Sequence, residues 1–150
     1  MKLKLTHILI VLALVACGKT ISVKEDAANY AKQESQLQAE MQTEQRALMQ
    51  KLQAMQKTPE KIDEIMPEVN QFIAQAKTKV QNIKTETAAV KKFQAQELKS
   101  IDELSVLLST IVDAVKTKDI SKVQTAQMAY SKAITDMQLA KAELTKAAAE

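Results

Sequence analysis

The chain carries one glycine and two prolines in 150 residues. No other property restricts its fold as much. Tight β-turns draw on glycine for positive φ and on proline for a preset φ. Sheet folds need many such turns. With only Gly18, Pro59 and Pro67, the chain cannot supply the turns of a β-sandwich or the loops of a doubly wound α/β sheet. Its commonest residues favour helix: there are 22 Ala and 16 Gln, and of the 21 basic residues only Arg46 is Arg. Aromatic residues are limited to Tyr30, Phe72, Phe93 and Tyr130. These counts predict an all-α fold of one domain.

The N-terminus has its own pattern. Met1 to His7 is short and basic, with Lys2 and Lys4. Ile8 to Ala16 is an unbroken apolar run that ends at Cys17 and Gly18. Nine apolar residues are too few to span a bilayer, which takes about 20. They have the length of a signal-peptide core, and they end in small residues. Leu14-Val15-Ala16-Cys17 resembles the lipobox of bacterial lipoproteins. The resemblance covers residues 1–17 only. It implies that Leu14, Val15 and Ala16 are read by a signal peptidase and that residues 1–16 are removed. It also implies that Cys17 takes a diacylglycerol on sulfur and a further acyl group on its amine. Two or three acyl chains anchor stably where one does not. By the same resemblance, Gly18 in place of an aspartate favours the outer membrane if the source is Gram-negative, with the body facing the periplasm or the cell surface. Cys17 is the sole cysteine, so no intramolecular disulfide can form.

Much chemistry is closed to a chain beginning at Cys17. The one histidine, His7, lies before it. Without His or a free thiol there is no Ser/His/Asp or Cys/His nucleophile and no His/Cys zinc site. No Gly-rich loop can cradle a phosphate, and no acidic run has EF-hand spacing. Without Lys2 and Lys4 the balance is 19 basic against 18 acidic residues. That is no footprint for nucleic acid. No catalytic, cofactor or metal site is expected.

The body is expected to be helical from 25 to 150, behind a lipidated tether at 17–24. Glu25–Lys57 contains no helix breaker. Its apolar steps from Leu37 through Met41, Leu48, Leu52 and Met55 are heptad-like. Thr58 and Pro59 read as N-cap and first residue of the next helix. Pro67 falls where a regular helix would lose a hydrogen bond, so a short arm over 59–66 or a kink near 63–67 is expected. Beyond it a strong stripe runs from Val69 to Val90 and continues with less order to Val115. One continuous or gently kinked helix over 67–116 is the preferred reading. A split near 95–100 is the other, with Ser100 and Glu103 as a capping box. Asp119 is expected to cap a last helix with its stripe at Ile120, Val123, Ala126, Tyr130, Ala133, Ile134, Met137, Ala140, Leu144 and Ala147. The architecture expected is an elongated antiparallel bundle or coiled coil of three long helices, four if the middle one splits.

The expected function is a membrane-anchored envelope lipoprotein with a non-enzymatic body. Its helical faces would serve protein–protein interaction, self-association or envelope structure, and an unsatisfied stripe on 25–57 would be the first such face. The alternative is a binder of lipid or another small apolar ligand. For that role Met41, Met49, Met55, Met66, Met128 and Met137 would be the adaptable side chains.

Overall fold

The computed structural model describes residues 21–55 and 61–150, without the side chains of Leu52, Gln53 and Met55. The lipobox, Cys17 and the Thr58–Pro59 boundary lie outside the described residues. The described chain is all-helical. It holds four helices: α1 (Val23–Met55), α2 (Ile62–Gln81), α3 (Ala88–Thr117) and α4 (Ser121–Ala147). Cross-pairs give their directions. Lys51 meets Glu68 and Lys79 meets Glu40, so α1 and α2 run antiparallel. Lys77 meets Asp102 and Lys116 meets Asp63, which sets α2 against α3. Lys92 with Glu143 and Lys99 with Asp136 do the same for α3 and α4.

α1 begins at Val23, two residues before the expected Glu25. Ser22 and Glu25 form a reciprocal capping box. The Ser22 hydroxyl accepts from the Glu25 N–H at 3.2 Å, and the Glu25 carboxylate accepts from the Ser22 N–H at 3.2 Å. The capping box that the alternative split near 95–100 would place at Ser100 does not form. Ser100 lies buried inside α3, where its hydroxyl donates to the Glu97 carbonyl at 2.7 Å. The expected single helix over 67–116 is also corrected. α2 stops at Gln81 and α3 starts at Ala88.

That break is made by remote side chains. The Gln94 amide donates to the Val80 carbonyl at 2.7 Å and to the Ile83 carbonyl at 3.0 Å, satisfying acceptors left at the end of α2. Thr87 caps α3 by accepting from the Val90 N–H. Asp26 then reaches over from α1. Its Oδ2 accepts from the Glu86 N–H at 3.1 Å, the Thr87 N–H at 2.7 Å and the Thr87 hydroxyl at 2.7 Å. Asp26 is 2% exposed, so this clasp is buried as well as charged.

Pro67 neither starts nor ends a helix. α2 runs through it from Ile62. Pro67 is exposed, so the Asp63 carbonyl that loses its partner there can turn toward water. At the far end, Lys118 closes α3 in the left-handed region, with φ 57°. Asp119 accepts from the Ser121 N–H at 2.9 Å, meeting one first-turn donor of α4.

The core falls in two clusters. One gathers Tyr30, Ile83, Val90, Phe93, Ala140 and Leu144, where α1, α3, α4 and the α2–α3 turn converge. The other gathers Leu48, Ile65 and Val69, with Phe72, Ile73 and Leu108 packed on it. Between α3 and α4 the contact is built on small residues. Ala126, Ala133 and Ala140 recur every seven residues on α4, and all three are buried.

Candidate functional site

One apolar groove stands out beside the first cluster. It opens between α1 and α4, has a volume of about 540 Å³, and includes Phe93 of α3 in its lining. Lys24, Ala27, Ala28, Ala31 and Glu34 form the α1 wall. Lys141, Leu144 and Thr145 form the α4 wall, followed by Ala148 and Ala149. The α1 residues sit on one face because they recur at three- and four-residue steps. Alanines on the wall leave width that larger side chains would fill.

The base of the groove is aromatic and polar together. Tyr30 is 1% exposed and meets Phe93 edge-on, with ring centroids 5.6 Å apart. The Tyr30 hydroxyl donates to Glu97 Oε2 at 2.5 Å. Burial drives the Tyr30 phenol far above its usual pKa, and acceptance by Glu97 adds to this. Glu97 is itself shifted upward. Burial is the main cause and the nearby Glu34 carboxylate adds to it, against the opposing pull of the Tyr30 hydrogen bond and the Lys141 charge. The lining of the groove thus combines one carboxylate, Glu34, two ammonium groups, Lys24 and Lys141, and the Tyr30 and Phe93 rings, with Glu97 bonded to Tyr30.

The sequence points to these residues only faintly. Glu97 and Ser100 interrupt the apolar stripe of α3, and a charge in such a stripe is the readable signal. Nothing local marks Tyr30 as its partner 67 positions away. The methionines expected for apolar ligands are placed elsewhere. Met41 is buried, Met66 and Met137 are half-buried, and Met49 and Met128 are exposed; none of them lines the groove. The stripe on α1 is covered in its described part, since Met41 and Leu48 are buried and Leu37 half-buried. Exposed large apolar residues lie instead at Val106, Val115, Ile120, Met128 and Leu139 on α3, α4 and their turn, with Met49 on α1. Ile120 is 78% exposed.

Among the described residues no cluster of His, Cys, Asp or Glu is placed to hold a metal ion. No described helix is long and apolar enough to cross a membrane. The chain matches no family model, no curated protein and no solved structure.

Proposed function

We propose that the chain is a lipid-anchored protein of the bacterial envelope whose helical body binds another envelope component rather than catalysing a reaction. One observation carries the reading: the order of parts along the chain. The lipobox-like Leu14-Val15-Ala16-Cys17 is followed within a few residues by Ser22, where the capping box starts α1. Five extended residues reach at most about 18 Å. The body therefore stands close to the acylated end, in an elongated antiparallel bundle with α3 and α4 as its coiled-coil hairpin. α1 alone, at 33 residues, is about 50 Å long. Val115 and Ile120 lie by the α3–α4 turn, whereas the start of α1 lies near Thr87 at the beginning of α3. About 45 Å of helix separates those two ends of α3. An apolar surface so placed suits a protein partner better than the anchoring membrane.

The test compares wild type with Cys17→Ala in a bacterium, by membrane fractionation and intact mass. The expected wild-type species starts at an acylated Cys17, and the variant stays uncleaved or leaves the membrane fraction. Crosslinking in the envelope then shows a partner that is lost in Ile120→Asp. An unmodified Cys17 in the wild-type mass refutes the anchor. A monomer with no crosslinked neighbour refutes the interaction role.

A further inference from the structure

The two ends of the α1–α4 groove differ in charge, and the difference selects an occupant. Successive helices run antiparallel, so α1 and α4 do as well. Lys24 therefore lies at the Ala148–Ala149 end of the groove, and Glu34 at the Lys141 end. Along α1 the groove runs from Lys24 to Glu34, ten residues or about 15 Å. That is under three helical turns, short for docking a partner helix but sufficient for a hydrocarbon chain. Between the ends, Ala27, Ala31, Phe93 and Leu144 present carbon. The Tyr30 hydroxyl at the base gives its one proton to Glu97, so it offers no free donor to a polar ligand.

Glu34 and Lys141 bring opposite charges to one end. At the other, Lys24 is the only ionic side chain in the lining, and it forms no ion pair among the described residues. An exposed ammonium at the mouth of a short apolar groove suits a ligand with one anionic head and one hydrocarbon tail. A cationic head meets a like charge there, and an uncharged head leaves Lys24 to water. One lysine matches one negative charge, and a carboxylate is a small monovalent head. We propose that this groove binds a fatty acid. Its carboxylate lies on Lys24, and its chain runs along Ala27, Ala31, Phe93 and Leu144 toward Glu34. Glu34 and Lys141 end the apolar stretch and so limit the length of tail that gains from burial. The site goes beyond the partner-binding role and rests neither on acylation of Cys17 nor on Ile120.

The test uses the full chain held in a non-ionic amphipol, with three photoreactive probes. All carry the same dodecyl chain with a diazirine, and they differ in head: carboxylate, alcohol or trimethylammonium. Labelled peptides are mapped by mass spectrometry. The carboxylate probe is expected to label the α1 and α4 walls of the groove about threefold to fivefold more than either of the others, as an ion pair to an exposed lysine predicts. High salt narrows that margin. Lys24→Gln brings the carboxylate probe down to the level of the alcohol, whereas Lys141→Gln retains the margin. Ala31→Trp fills the groove and abolishes labelling there; Ala31 is exposed, so helicity by circular dichroism stays unchanged. If that variant loses helicity, the two lysine variants decide. Labelling outside the groove, equal labelling by the three heads, or a lead for trimethylammonium overturns the proposal. So does a margin that survives Lys24→Gln, one that is lost in Lys141→Gln, or full labelling of a folded Ala31→Trp.

Discussion

Asp26 is buried and Glu97 half-buried, and they respond to pH in opposite directions. For Asp26, burial pushes the pKa up, but hydrogen bonds from Thr87 and Glu86 outweigh it and the net shift is downward. Its folded pKa lies below its unfolded one, so its stabilising effect is full above about pH 4 and is lost as pH falls through the folded value. Asp26→Ala leaves buried donors at the start of α3 without an acceptor. It should cost about 2–3 kcal/mol in urea unfolding at pH 7, and less in acid. For Glu97 the net shift is upward. Its charge opposes folding above the unfolded pKa, and that penalty fades as pH falls toward about 4. Glu97→Gln keeps an acceptor for Tyr30 without the charge. Its melting temperature should exceed wild type at pH 7, with the gap closing by pH 4. A variant less stable than wild type at pH 7 would contradict this account of the groove. Neither behaviour can be read from the sequence. Asp26 looks like any first-turn acid of a helix, and its partners are 60 and 61 residues away.

The helices themselves were far more legible than their ends. Of the stripe expected from Ile120 to Ala147, Ile120 is exposed at the α3–α4 turn and does not belong to the packed face; Ala126, Ala133, Ala140 and Leu144 are buried, and Val123, Tyr130, Ile134, Met137 and Ala147 half-buried. The hydrophobic period suffices for the packed face, because it repeats over many turns. The break at 82–87 was not legible. Asn82 to Thr87 contains neither Gly nor Pro, and its stop and start signals come from Gln94 and Asp26. Two element-level predictions follow from the α3–α4 hairpin. Ala133 is 1% exposed on the close-packed face, so Ala133→Leu should force the helices apart and cost about 1–3 kcal/mol by chemical denaturation. Lys118 bears the left-handed conformation without glycine's freedom. Lys118→Gly should raise stability by about 1 kcal/mol, measurable as a higher melting temperature, while Lys118→Val lowers it.

At the scale of the molecule, ion pairs join α1 to α2, α2 to α3 and α3 to α4. Both partners are at least one-third exposed in five of the seven described pairs, and in the other two only Asp136 is more covered. Such pairs contribute about 0–1 kcal/mol each and are screened by salt. They favour one antiparallel alignment over its neighbours more than they add stability. Raising salt from 0.05 to 0.5 M should therefore move the urea midpoint only slightly, on the order of the few tenths of a kcal/mol such pairs contribute; a large drop would mean the pairs hold the fold. The helical class was legible from one glycine and two prolines, since those counts act on the entire chain. The groove was not, because it is the space left where α1 and α4 meet only at one end. That same end is where α1 begins, and the Asp26 clasp sits one turn inside it. A pull exerted on the N-terminal side of α1 enters the body at Ser22 and would peel α1 away one turn at a time. The first lock it meets is Asp26, whose three hydrogen bonds hand the load across to α3 before α1 can unzip. The clasp thus makes the start of α1 the mechanically reinforced end of the molecule, and Asp26→Ala should lower the rupture force of a chain pulled from its N-terminus in an optical trap.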